Sequence, residues 1–252
     1  MEPQVHEGAA VAIVLAAGVG QRVGGDRPKA FLTIGGLPIL SVAVGAAAAS
    51  PAIGRIIVTV PAGWEDEARE RLAATGEQVP IEVVTGGVSR QESVRAALSA
   101  MDGVSGADDV PVVIHDAARP FAPPDLFTAV VAALGTGTQE AADGAIPIIP
   151  IADTVKRLQD GLVTVTIPRE ELGLAQTPQA FRAGPLRDAH TRAAAAGLEL
   201  TDDASAVEVA GGLVRAVPGD PTNVKITTFL DLAQADARMS APIESAPSDG
   251  DG

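Results

Sequence analysis

A short apolar run, Val11-Ala12-Ile13-Val14-Leu15, leads straight into Ala16-Ala17-Gly18-Val19-Gly20-Gln21-Arg22-Val23-Gly24-Gly25-Asp26-Arg27-Pro28-Lys29, and this junction constrains the fold more than any other stretch. The run is rich in β-branched residues and carries no polar alternation. That pattern predicts a strand buried on both faces of a sheet. The small residues and glycines that follow let the backbone turn sharply and approach a ligand closely. Arg22, Arg27 and Lys29 then place three cations within eight residues of an otherwise acidic chain. Strand, Gly-rich turn and fixed cations together predict a cradle for phosphates, built from backbone N–H groups and side-chain charge.

Two common phosphate loops do not match. A Walker A loop needs Lys-Ser/Thr directly after its last glycine, whereas Gly25 is followed by Asp26-Arg27. A dinucleotide fingerprint needs Gly-x-Gly-x-x-Gly; Gly18 and Gly20 comply, but the third position is Val23, and no acidic residue follows at the spacing of a ribose-binding carboxylate. Leu15-Ala-Ala-Gly-x-Gly-x-Arg with Pro28-Lys29 instead resembles the signature loop of nucleotidyltransferases that join a nucleoside triphosphate to a sugar or polyol phosphate. The competing reading is a plain βα turn whose glycines serve packing alone, but packing does not call for Arg22 and Lys29.

Composition narrows the classes. With 252 residues, 46% of them apolar, the chain can form one large α/β domain with a substantial core. No apolar run approaches the ~20 residues of a membrane span, and Met1 to Gly8 has neither a basic start nor an apolar signal core, which predicts a cytoplasmic protein. The absence of Cys excludes disulfides, thiolate zinc sites and cysteine nucleophiles. His6, His115 and His190 are too scattered to suggest a metal cluster, and a net charge of −14 argues against general nucleic-acid binding. The only lysines are Lys29, Lys156 and Lys225, in a chain that otherwise uses Arg. Such a bias ranks a retained Lys as a position where a compact ammonium is needed.

Along the chain, helices are expected over Pro38–Ser50, Trp64–Ala74, from Ser89 to about Met101, and Pro123–Leu134, alternating with strands at Arg55–Val60, Ile81–Thr85 and Val110–His115. This βαβαβαβ order predicts a parallel sheet with helices on both faces. Ser89 with Glu92 is a capping-box pattern after Gly86-Gly87, at a second candidate ligand loop. Asp116 and Arg119 stand at the carboxyl end of a central strand, where open α/β sheets bind ligands; the alternative is an ion pair closing the loop. Gly144–Pro150 reads as a further strand. Asp153–Leu158 and Leu162–Ile167, joined by Gln159-Asp160-Gly161, read as a β-hairpin, which needs something to pack on. A helix is expected from about Pro185 to Ala196, another from Thr201 as N-cap, a strand at Leu213–Val217 and a last helix to about Arg238. The expected organisation is a flexible segment 1–9, one domain over 10–239 with an arm at about 150–170, and a disordered acidic tail over 240–252.

Five blocks now stand in order: Leu15–Lys29; Gly86–Val94; His115–Pro120; Asp153–Arg157 with Thr177-Pro178-Gln179; and Thr201–Ser205 with Asn223-Val224-Lys225. Together they resemble the 2-C-methyl-D-erythritol 4-phosphate cytidylyltransferase family of the non-mevalonate isoprenoid pathway, over residues 10 to 238. The resemblance implies a single Rossmann-like, three-layer αβα domain with a mostly parallel sheet and a protruding hairpin arm that reaches across a homodimer. It implies CTP, 2-C-methyl-D-erythritol 4-phosphate and Mg²⁺, the metal held mainly by the CTP phosphates, and no nucleic-acid or membrane partner. Ala16, Ala17, Gly18, Gly20 and Arg22 would wrap the CTP phosphates and Lys29 would neutralise them. Gly87 and Ser93 would read the cytosine, with Asp116 and Ala117 by the ribose and the second substrate. Arg119, Thr154, Arg169, Thr177, Thr201 and Lys225 would form the second-substrate site, some of them from the partner's arm. Arg22, Lys29 and Lys225 would carry the catalytic charge, and Lys156 a structural or dimer role. The chain departs from the pattern at Gln21, Val88, Ala30 and Ala180, and Val88 leaves only a backbone contact to the base at its position.

Rival readings are a cytidylyltransferase for another polyol phosphate such as ribitol 5-phosphate, a nucleotide sensor that lost catalysis, and, disfavoured by Val23, a NAD-binding oxidoreductase. An inactive relative is expected to lose Arg22, Lys29 or Lys225, and all three are present.

Overall fold

The computed structural model describes residues 10–18, 27–102, 108–135 and 141–240. Its centre is the expected first strand, β1 (Ala10–Leu15), which has a parallel neighbour on each side. β4 (Ile53–Val60) pairs along one edge and β6 (Pro111–Asp116) along the other, and β5 (Ile81–Thr85) continues the parallel set beyond β4. The absence of polar alternation in β1 has the expected cause. Ala10, Ala12 and Val14 enter one buried cluster and Val11 and Ile13 enter the other, so both faces are covered.

The first face is covered by α1 (Ile39–Ala48), α2 (Glu65–Ala73) and α4 (Pro124–Ala132), which supply Leu40, Val44, Leu72, Phe127 and Val130. Small residues on α1 (Ala43 and Ala47, both fully buried) let it lie close to the sheet. The opposite face takes α3 (Arg90–Ser99), α5 (Ala183–Ala195) and α6 (Asp203–Val209), through Val94, Leu98, Leu186 and Val207. The three layers and mostly parallel sheet agree with the expected architecture.

The sheet is mixed beyond β6. β7 (Gly144–Pro150), β10 (Gly173–Ala175), β11 (Gln179–Arg182) and β12 (Val214–Pro218) complete eight strands in the order β10-β7-β11-β6-β1-β4-β5, with β12 also on β7. β11 runs antiparallel between β6 and β7 and fills the gap between them. Neither β10 nor β11 was expected; both are too short to show a period, and Pro178 interrupts the segment. A tight ribbon of β2 (Thr33–Ile34) and β3 (Leu37–Pro38), turning through Gly35 and Gly36 at positive φ, also has no readable pattern. The Ser89/Glu92 capping box is present. The cap expected at Thr201 is instead Asp202, whose carboxylate accepts from the Ser205 N–H at 2.9 Å. A carboxylate there also favours the helix dipole. The helix expected to end near Arg238, α7 (Phe229–Ser240), runs to Ser240.

β8 (Val155–Gln159) and β9 (Leu162–Ile167) form a separate two-stranded sheet, the expected hairpin. Asp160 and Gly161 both have positive φ, 50° and 79°, as a two-residue type I′ turn requires. Leu158, Leu162, Val163 and Val165 are exposed on it, and Lys156 Nζ donates to Thr166 Oγ1 across the strands at 2.6 Å. Among the described residues no helix is long and apolar enough to cross a membrane.

Candidate active site

Chain order sends β1 to β4 and β5 on one side and returns to β6 on the other, so the strand order reverses beside β1. Open α/β sheets have a crevice at such a switch, outside the carboxyl ends of the strands. A cleft of about 790 Å³ lies there. Four strand ends supply most of its wall: Leu15 to Gly18 after β1, Pro61 and Ala62 after β4, Gly86 to Ser89 after β5, and Asp116 to Ala118 after β6. Lys29, Ala30, Arg90, Glu92, Ser93 and Lys225 complete it.

Backbone contacts bring these pieces together. Ala16 N–H donates to the Thr59 carbonyl at 2.8 Å, Gly86 N–H to the Val60 carbonyl at 2.7 Å, and Ala117 N–H to the Leu15 carbonyl at 3.0 Å. At Gly86 and Gly87 the loop after β5 leaves no room for a side chain. A Cβ on Gly86 would stand 2.4 Å from Ala17 Cβ, and one on Gly87 would stand 2.1 Å from Glu92 Cβ. Gly87 N–H donates to Ser93 Oγ at 3.1 Å, and Ser93 Oγ donates to the Ser89 carbonyl at 3.0 Å. Val88 is fully exposed, and its N–H donates to Glu92 Oε2 at 2.8 Å.

The cations reach the cleft from outside the parallel strands. Lys29 follows Pro28 at the start of a short 3-10 turn, and its Nζ donates to the Ile226 carbonyl at 2.8 Å. Ile226 N–H in turn donates to the Ala118 carbonyl at 2.8 Å, which fastens the Asn223–Ile226 segment over the end of β6. Lys225 is thereby set beside Asp116, Nζ to Oδ2 2.6 Å.

The sequence profile of IspD, 2-C-methyl-D-erythritol 4-phosphate cytidylyltransferase, matches residues 10–241. The chain belongs to this family. It is 43% identical over 230 residues to the 2-C-methyl-D-erythritol 4-phosphate cytidylyltransferase of Geobacter metallireducens, covering 91% of this chain and 97% of that one. It is 40% identical over 239 residues to the bifunctional enzyme IspD/IspF of Chelativorans sp., covering 93% of this chain and 56% of that relative. The crystal structure of 2-C-methyl-D-erythritol 4-phosphate cytidylyltransferase from Thermus thermophilus superposes with a TM-score of 0.71 at 32% identity, covering 92% of this chain and all of that one.

Within this cytidylyltransferase-family cleft, Asp116 and Arg119 do not pair through their side chains. Asp116 meets Lys225 and, at 3.4 Å, Arg90 Nε. Arg119 Nη1 donates to the Asn223 carbonyl at 2.8 Å, and burial lowers its pKa against the pull of Asp116. Burial opposes the Asp116 charge, but Arg90 and Lys225 outweigh it and hold the carboxyl well below the usual carboxylate range. Behind it, His115 is fully buried, and burial pushes its imidazole down to about 4. A neutral ring fits its contacts: Nε2–H donates to the Arg119 carbonyl at 3.1 Å, and Nδ1 accepts from Thr177 Oγ1 at 3.2 Å. Thr177 Oγ1 also accepts from the Asp116 N–H at 3.0 Å, which locks the end of β6.

The cleft therefore unites Ala16, Ala17, Gly18, Lys29, Gly87, Ser93, Asp116, Ala117 and Lys225. Gly20 and Arg22 lie outside the described residues. Thr177 is buried behind the cleft. Thr154 is exposed at the base of the arm, and Arg169 Nη1 donates to the Ala152 carbonyl there. Thr201 is exposed just before α6. Arg90 and Asp203 were not singled out by the sequence reading, although both lie inside the quoted blocks; a charge on the first turn of each helix was the available signal. Among the described residues no three His, Asp or Glu side chains gather to hold a metal ion. Of the two carboxylates in the cleft wall, Glu92 is engaged in the capping box and Asp116 is paired with Lys225 and Arg90.

Proposed function

We propose that this chain transfers CMP from CTP to 2-C-methyl-D-erythritol 4-phosphate, giving 4-diphosphocytidyl-2-C-methyl-D-erythritol and pyrophosphate. The observation that carries the reading is the cleft at the switch point. It joins the Ala16–Gly18 turn, the Gly86–Ser93 loop, Lys29 and Lys225 in one wall, in a chain that belongs to the cytidylyltransferase family.

The substrate phosphomonoester is already an anionic nucleophile, so no strong general base is required. One of its oxygens attacks the α-phosphorus of CTP in line; the new P–O bond forms as the bond to pyrophosphate breaks. Catalysis then consists of bringing two anions together and stabilising charge as it gathers on the α-phosphate. Lys29 faces the phosphates, Arg22 belongs to the same sequence motif, and Lys225 faces the transferred group. Mg²⁺ bound with the triphosphate would supply charge neutralisation for the leaving pyrophosphate, and Asp116 is the protein carboxylate that would hold it. Gly86, Gly87 and Ser93 shape the cytosine pocket.

Arg119, Thr154, Arg169, Thr177 and Thr201 make up the second-substrate site in this reading, with the arm of one protomer completing the site of its partner. The exposed apolar side chains of β8 and β9 support an arm that packs on a second copy. The working unit is residues 10–239, and the compartment is the cytoplasm. Pyrophosphate release, with CTP, UTP, ATP and GTP crossed against methylerythritol phosphate and ribitol phosphate, tests the reading. Release with CTP and methylerythritol phosphate alone is expected; release only with ribitol phosphate overturns the substrate, and release from no pair overturns the activity.

A further inference from the structure

The charges of the cleft continue inward as an alternating chain. Lys225 Nζ lies 2.6 Å from Asp116 Oδ2, and Asp116 Oδ1 lies 3.4 Å from Arg90 Nε. The far end of Arg90, Nη2, lies 2.7 Å from Asp203 Oδ2, and Asp203 Oδ1 lies 3.0 Å from His190 Nε2. Side-chain exposure is 42% at Lys225, 13% at Asp116, 29% at Arg90 and 0% at Asp203. Five segments are threaded in turn: the strap before α7, the end of β6, and helices α3, α6 and α5.

Two residues of this series stand where helix capping does not call for them. Arg90 is the first residue of α3, where the helix dipole disfavours a cation. Asp203 is fully buried yet does not cap its helix, since Asp202 and Ser205 already close that end. A buried carboxylate is costly unless its charge is used, and the partners of this one are Arg90 and His190.

We propose that Asp203 is a positioning residue for cytidylyl transfer, anchoring Arg90 so that Asp116 is held in the orientation that aims Lys225 into the cleft. This rests on the reading that Lys225 stabilises the transferred phosphoryl group. Arg90 then works as a two-ended spacer between carboxylates. Without Asp203 its charge has only Asp116 to meet, and it draws that carboxylate away from Lys225. The consequence is specific: the effect of losing Asp203 passes through Lys225.

The test is a double-mutant cycle on kcat and KM for both substrates, using Asp203→Asn, Lys225→Gln and the pair. Lys225→Gln is expected to lower kcat at least ~10²-fold, as for removal of one preorganised donor. Asp203→Asn is expected to lower kcat about tenfold with the KM for CTP changed less than about threefold, and to cost less than about twofold once Lys225 is gone. A tenfold loss in both backgrounds makes the effect of Asp203 general structural damage and overturns the proposal, as does an unchanged kcat in Asp203→Asn. A normal kcat in Lys225→Gln overturns the role of Lys225 itself, a separate result that removes the ground of the proposal. If Asp203→Asn does not melt cooperatively, Arg90→Lys takes its place in the cycle. It keeps the cation but cannot span both carboxylates, and the same non-additivity is expected.

Discussion

Lys225 Nζ sits 2.6 Å from Asp116 Oδ2, with the lysine side chain 42% exposed and the carboxylate 13% exposed. The two ends of this ion pair therefore stand in different surroundings, and their removal has different consequences. Asp116→Asn leaves Arg90 facing a single buried partner and is expected to cost about 3 kcal/mol of stability, the range for breaking a buried pair. Lys225→Met removes a charge from the wet side and is expected to cost less than about 1 kcal/mol. Both are expected to lower turnover. Thermal melts beside steady-state rates check this, and equal destabilisation by the two variants would contradict the asymmetry.

Lys29 lines the same cleft, its Nζ donating to the Ile226 carbonyl. That bond ties the Asn223–Ile226 segment, which carries Lys225, to the turn at Lys29. Lys29→Ala is expected to reduce turnover by at least ~10²-fold, the magnitude for one preorganised electrostatic donor. Its fold is expected to survive, because the side chain is part-exposed and a single hydrogen bond contributes about 1 kcal/mol. Circular dichroism together with pyrophosphate release measures both; a near-normal rate would remove Lys29 from the mechanism.

The parallel half of the sheet and the cleft were legible in the sequence because their signals are local. β1 is an unbroken apolar run, and each strand end carries its own glycines or charges. The antiparallel half was less legible. β10 and β11 take their places by pairing with β7 and β6, a long-range choice that three- and four-residue segments cannot announce. The same holds for the charges. Asp116 and Arg119 are neighbours in sequence and look like a pair, yet Asp116 finds Arg90 and Lys225, 26 and 109 positions away. Sequence spacing shows that a charge is present; only packing decides which partner it meets.

Neither Gly86 nor Gly87 has a left-handed backbone, so their need is for space. A Cβ on Gly87 would meet Glu92 Cβ at 2.1 Å, and Glu92 holds the N–H groups of Val88 and Ser89. Gly87→Ala forces the loop outward at a cost of about 1–3 kcal/mol, as for overpacking. That displacement falls on the proposed cytosine pocket, so the KM for CTP is expected to rise about tenfold or more. The KM for the second substrate is expected to stay within about threefold, since the displaced loop belongs to the nucleotide side of the cleft. Equal rises in both would show that the loop supports the whole site.

The hairpin leaves Leu158, Leu162, Val163 and Val165 exposed on two strands that bury little against the rest of the chain. In the proposed dimer these side chains are covered. The double substitution Leu162→Asp, Val165→Asp is expected to shift sedimentation from dimer toward monomer and to lower activity with it. Melting of the domain core is expected to change little, because substitutions of exposed residues usually cost less than about 0.5 kcal/mol. A monomeric wild type, or a dimer untouched by the substitution, would place the interface elsewhere.

His115 gives the protein a defined acid sensitivity. It is fully buried, and burial pushes its imidazole from 6.5 down to about 4. Between those values the unfolded chain binds a proton that the folded one refuses, so stability rises with pH across that window. The contribution is fully present above pH about 6.5, falls as pH drops, and levels off below about 4, a total of roughly 3 kcal/mol. Asp116 acts in a lower window. Its folded pKa lies below the ordinary carboxylate value, so its contribution is present above that value and is lost only as pH falls further. Loss of stability between pH 6.5 and 4 therefore reports on the imidazole more than on the ion pair beside it. Denaturant melts across this range are expected to show a slope in the wild type that His115→Gln reduces, at the expense of lower stability at pH about 7, where Thr177 Oγ1 loses its ring nitrogen. An identical slope in both proteins would show that the proton enters elsewhere.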